Sequence, residues 1–110
     1  MKILMGWMMA GVAVVVLSAP AFAGNKHVEE AVTHAKAAVE HGKKGHADEA
    51  LKHAEEALMH ANGAQKDMKN GHLDEGVKHL TEAVKHGKMG HADAIAEHAQ
   101  GAVTHLSEVS

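Results

Sequence analysis

Histidine is the residue this sequence is built to present. Twelve of its 110 residues are histidine. Two of them flank the Gly-Lys-x-Gly turn within HGKKGHAD at residues 41–48, and two flank the same turn within its near-copy HGKMGHAD at residues 86–93. The other eight lie at steps of seven from these: His34 and His27 before His41, His53 and His60 after His46, His79 and His72 before His86, His98 and His105 after His91. A neutral imidazole nitrogen is a ligand for Cu(II), Ni(II) and Zn(II), and carboxylate oxygens complete such sites. Glutamates are interleaved accordingly. Glu30, Glu49, Glu56, Glu75 and Glu82 each stand three residues after one histidine and four before the next, and Glu108 stands three after His105. The corresponding positions 37, 94 and 101 hold Ala, Ala and Gly.

The bland readings differ in weight. Histidine copied along by repeat expansion as a mere polar boundary residue is a weak account, since Gln or Lys forms helix better. For the glutamates it is stronger, because a Glu four residues before His or Lys stabilises a helix by about 0.2–0.5 kcal/mol with no metal involved. Met59, Met68 and Met89 are too scattered to form a soft-metal set and read as packing or solvent-facing residues.

Such a spacing needs helices to carry it. Residues 27–41 place Val28, Ala31, Val32, Ala35, Ala38 and Val39 at threes and fours, the period of an amphipathic helix. Residues 46–61 repeat the pattern with Ala47, Ala50, Leu51, Ala54, Ala57 and Leu58. Between them Gly42 is placed to end the first helix as a left-handed cap, Gly45 turns the chain, and Asp48 suits the first turn of the next helix. So short a turn makes the two helices an antiparallel hairpin. Residues 62–71, bounded by two Asn-Gly pairs, read as the loop between hairpins, with part able to extend the second helix. Aligning residues 27–60 with 72–105 matches 17 of 34 positions, an internal duplication. Two like hairpins, 27–61 and 72–106, predict an all-α antiparallel four-helix bundle; an open pair of hairpins, or a dimer, is the alternative. The core is expected to be thin, because most of its positions are alanine.

On a helical wheel the histidines of one helix fall on a flank of the apolar stripe, about 10.5 Å apart along the axis. One ion with bonds of about 2.0–2.2 Å cannot join two histidines so spaced. The antiparallel hairpin sets His41 level with His46, His34 with His53 and His27 with His60, and likewise 86/91, 79/98 and 72/105. The two columns of a hairpin either meet on its outer face or point apart, depending on the handedness of the turn.

Composition excludes several classes. Residues 1–23 have the pattern of a cleavable secretory signal: Lys2, an apolar run from Ile3 to Leu17, then Ala21-Phe22-Ala23. An uncleaved anchor is the alternative, but the run is short for a span of about 20 residues. Cleavage leaves 24–110, with no membrane segment, exported to a periplasm-like space. That portion has no aromatic residue, no proline and no cysteine, and the whole chain has no arginine. Disulfides, c-type haem and stacking platforms for single-stranded nucleic acid are therefore excluded, and a basic nucleic-acid footprint is missing. No nucleophile constellation, phosphate loop or H-E-x-x-H motif points to an enzyme.

The signal-like start, the aromatic-free remainder, histidine at every seventh position and the repeated HGKxGHAD turns together resemble the periplasmic small metal-binding protein family. The resemblance spans everything after residue 23. It implies a helical bundle that binds several divalent metals, copper above all, in metal homeostasis, with the twelve histidines at the family's repeated position. The expected function is thus periplasmic buffering or sequestration of Cu(II), with Ni(II) and Zn(II) also suited. The competing expectation is a metal-free, pH-responsive interaction or chaperone-like module, in which histidine columns charge together on acidification.

Overall fold

The structure, a computed structural model, describes residues 25–109. The expected signal at 1–23 lies outside the described residues. Four α-helices follow one another: α1 (Lys26–Lys43), α2 (Ala47–Asp67), α3 (Gly71–Lys88) and α4 (Ala92–Leu106). Each packs on the next, and α4 closes back on α1. The expected four-helix bundle of two hairpins is therefore what forms. Both glycine turns lie at one end, and the α2–α3 loop lies at the other. No described helix is long and apolar enough to cross a membrane.

Helix starts are set in two ways. Asn25 and Asn70 cap α1 and α3 through their side-chain oxygens, Asn25 accepting from the Val28 N–H and Asn70 from those of His72 and Leu73. The Asn25 amide also donates to Asp67 at 3.2 Å, which ties the start of α1 to the end of α2. At α2 and α4 the cap position is His46 or His91, and neither side chain caps its helix.

The helix-ending glycine is not the one the sequence suggests. Gly42 and its repeat Gly87 are helical and buried, whereas Gly45 and Gly90 take the positive φ values of 81° and 78°. The His46 N–H donates to the His41 carbonyl at 2.9 Å, and the Gly45 N–H to the Gly42 carbonyl at 3.1 Å. The equivalent bonds at the second turn are 3.0 Å and 2.9 Å. This double-bonded turn needs a left-handed residue one place beyond the cap, and glycine adopts that conformation without strain. Gly42 serves a different purpose: a Cβ there would stand 2.9 Å from the Ala92 carbonyl oxygen and from the Ala96 Cβ. It lets α1 approach α4.

The loop between hairpins is also shorter than the Asn-Gly pairs suggest. Helix α2 runs through Asn62-Gly63 to Asp67, because Ala61 and Ala64 on its inner face are fully buried and their packing outweighs the cost of one glycine. Only residues 68–70 connect the hairpins.

Twelve of the twenty buried apolar residues are alanine, so the helices pack closely and bury little area per turn. The large fully buried side chains, Leu73, Leu80, Ile95 and Leu106, all come from the second hairpin. Their repeat equivalents in the first are Val28, Ala35, Ala50 and Ala61. The two hairpins have thus diverged to complement each other, large against small. Met68 packs against this core, while Met59 and Met89 are exposed, as expected.

Candidate metal centre

The twelve histidines form two ladders, one per hairpin. In the first the rings run His27, His60, His34, His53, His41, His46, with successive centroids 5.5, 5.7, 5.6, 5.2 and 6.1 Å apart. In the second they run His72, His105, His79, His98, His86, His91, at 5.6, 5.4, 6.1, 5.2 and 6.0 Å. The columns of each hairpin therefore meet rather than point apart. Two columns with a repeat of about 10.5 Å interdigitate into a single row with half that step. Every ring contact stays within a hairpin. Since α1/α2 and α3/α4 form opposite sides of the helix ring, the ladders lie on opposite sides of the bundle.

The six pairs expected to lie level are all in contact, but the columns are staggered by half a repeat, so the partners are not level. A second set joins rings diagonally: His34 with His60, His41 with His53, His79 with His105 and His86 with His98. These diagonal rings lie nearly parallel, at 5–17°, while the rings of the six expected pairs are inclined by 27–38°. The inclination brings nitrogens edge to edge. His27 and His60 Nδ1 are 3.3 Å apart, and those of His34 and His53, and of His72 and His105, are 3.4 Å apart. Two neutral imidazoles of opposite tautomer, one with its Nδ1 protonated and one with it bare, can share a hydrogen bond across such a gap. Two nitrogens bound at a tetrahedral angle to one ion, with bonds of about 2.0–2.1 Å, stand about 3.3–3.4 Å apart. The spacing of these three pairs is the spacing a tetrahedral ion would need.

Carboxylates complete four groups whose ligand atoms all lie within 4.8 Å of one another: Glu30/His34/His60, Glu75/His79/His105, Glu82/His86/His98 and His41/His46/Glu49. The first two are the same site repeated by the duplication. In three of the four, the glutamate lies one helical turn before its histidine, and the second imidazole comes diagonally from the partner helix. The remaining two candidate glutamates reach across their hairpins. Glu56 lies 3.9 Å from His34 Nε2, and Glu108 lies 3.3 Å from His72 Nδ1 rather than turning to His105. His41 and His86 each have a buried Nδ1 without a hydrogen-bond partner among the described residues. At His53, burial holds the imidazole pKa below its ordinary value, helped by His41 and His34 and opposed by Glu56 and Glu49.

Two residues that seat the ladder have no counterpart among the sequence-derived candidates. A Cβ on Gly101 would stand 2.8 Å from His79 Nδ1, and one on Gly63 would stand 3.3 Å from the His27 ring. Both glycines follow a histidine of their own helix by three. They open the space into which a histidine of the facing helix lies. The signal is visible in retrospect: glycine inside a helix costs roughly 0.5–1 kcal/mol relative to alanine, so its presence calls for a packing reason.

No match is found among curated proteins. The sequence profile described as "Small metal-binding protein" matches residues 1–109, nearly the whole chain, and the protein whose helices carry these two imidazole ladders belongs to that family.

Proposed function

We propose that the two ladders take up several divalent transition-metal ions, Cu(II) ahead of Ni(II) and Zn(II), and that the protein buffers or sequesters these ions in the periplasm without catalysing a reaction. The observation that carries the reading of metal uptake is the set of four His/Glu groups whose ligand atoms lie within 4.8 Å of one another, in rows that also hold imidazole nitrogens 3.3–3.4 Å apart. Membership of a metal-binding family supports metal as the cargo. The Irving–Williams order puts Cu(II) first among ions that suit imidazole and carboxylate. Half-exposed sites in rows favour capacity over selectivity. The signal-like pattern at residues 1–23 supports export.

A Cu(II) titration of residues 24–110 without a tag, followed by calorimetry and helical circular dichroism, tests the reading. The expected result is uptake of several ions with a rise in thermal stability, because an ion bound only by the folded state stabilises it. Uptake should weaken below about pH 6.5, where protons compete for imidazole nitrogen. Uptake no tighter than that of a scrambled chain of equal composition, or equal at pH 5 and pH 7.5, would sink it.

A further inference from the structure

The two hairpin turns have nearly the same geometry and differ in their ligands. At the first, His41 and His46 lie 6.1 Å apart between ring centroids; at the second, His86 and His91 lie 6.0 Å apart. Ring inclinations are 38° and 37°. Both turns are closed by the same two backbone hydrogen bonds around a glycine of positive φ. Yet Glu49 follows the first turn where Ala94 follows the second. Accordingly only the first turn holds a three-ligand group, His41/His46/Glu49. In the second hairpin the carboxylate is Glu82, on the preceding helical turn, and it groups His86 with His98 instead of His91. The placement of one glutamate thus decides which imidazole of the ladder becomes the partner.

The first turn differs from the other three groups in a second way. Its ligands all lie within residues 41–49, whereas the others span longer stretches, from Glu82 to His98 in one and from Glu30 to His60 and Glu75 to His105 in the other two. Closing a short loop costs less entropy than closing a long one. Here the backbone has already closed it, since the His46 N–H donates to the His41 carbonyl. The buried His41 Nδ1, like that of His86, has no hydrogen-bond partner among the described residues to give up when an ion arrives, so this property is shared with the Glu82/His86/His98 group and does not itself rank the sites.

We propose that His41, His46 and Glu49 form the entry site of the protein, the position at which a Cu(II) ion binds first and most tightly, and that the second turn is a weaker site because it lacks the carboxylate. This rests on the metal-binding reading above and ranks the sites within it. The ion neutralises the Glu49 charge and holds α1 and α2 in register at the turn, before the sites that need the assembled ladder are filled.

The test is paramagnetic broadening of amide signals in the ¹⁵N-labelled, metal-free chain as Cu(II) is added to well below one equivalent. Amides of residues 41–49 are expected to broaden before those of 86–94. Glu49→Gln, at an exposed position, should remove that lead while circular dichroism stays unchanged, and weaken the first-turn site by at least about tenfold, the lower end of the loss caused by removing even an outer partner of a metal ligand. Ala94→Glu should make the second turn broaden together with the first. Simultaneous broadening of both turns in the native protein overturns the inference, as does an order that Glu49→Gln leaves unchanged. Broadening that begins around His34 and His79 also overturns it, while leaving metal binding intact. Broadening nowhere removes the metal reading itself, and this ranking with it.

Discussion

A single imidazole on a helix flank is a weak ligand and an indifferent helix former. Here its value comes from the neighbour it is given, and the neighbour is admitted by glycine. Gly101→Ala places a methyl group 2.8 Å from His79 Nδ1, too close for the ring to stay where it is. Alanine gains about 0.8–1.0 kcal/mol of helix propensity over glycine, and displacing the ring opposes that gain. We expect thermal stability to change little while Cu(II) binding at Glu75/His79/His105 falls, a separation that melting and calorimetry on the same variant would reveal. At His53 the folded protein holds the imidazole pKa below its ordinary 6.5, so the unfolded chain takes up a proton more readily. The sign follows from linkage: this group's contribution to stability is fully present above pH 6.5 and is lost as pH falls through the lower folded value. The metal-free protein should therefore show a lower urea midpoint at pH 5 than at pH 7.5, and His53→Gln should reduce the difference. His41 and His34 face this ring and reinforce its dependence, while Glu49 and Glu56 oppose it.

The helices matter as rulers. A heptad spacing on each of two antiparallel helices gives a row of rings only if the turn holds them half a repeat out of step. The hydrogen bond from the His46 N–H to the His41 carbonyl does this, and Gly45 permits it with φ 81°. Forcing an alanine into that left-handed conformation costs about 1–2 kcal/mol. For a domain of this size that corresponds to a drop of about 5–15 °C in Tm. Gly45→Ala and Gly90→Ala should each show it by circular dichroism. Gly45→Ala should in addition weaken Cu(II) binding, and equal loss of binding from both variants would count against an advantage of the first turn.

Over the whole molecule, stability and capacity trade against each other. An alanine-lined core allows close helices and compact ladders, but leaves a few large side chains to supply much of the burial. Leu80 is one, fully buried and packed in the main cluster. Leu80→Ala is expected to cost about 2–5 kcal/mol, a large part of the 5–15 kcal/mol typical of a small domain. The metal-free variant should melt at a markedly lower temperature. Cu(II) at a hundred times its Kd would return about 2.7 kcal/mol per independent site, so metal should raise the Tm of variant and native protein alike. A Tm that Cu(II) leaves unmoved in both would show that the ions bind without stabilising the fold.

Heptad histidine, alternating small and apolar residues and a duplicated glycine turn were sufficient in the sequence to predict four helices and two hairpins, and to name the rings that would face each other if the columns of a hairpin met. Each follows from the fixed rise and period of an α-helix, which translates spacing directly into position. Tertiary structure alone decided the rest. Whether the columns met depended on the direction in which the turn carried α2 away from α1, and no local rule specifies that. The diagonal stacking, and the reach of Glu56 to His34 and of Glu108 to His72, depended on the offset between facing helices. A glycine inside a helix signals a close approach, but what approaches Gly42 and Gly63 was decided by the fold for the same reason: Ala92 and Ala96 for one and the His27 ring for the other.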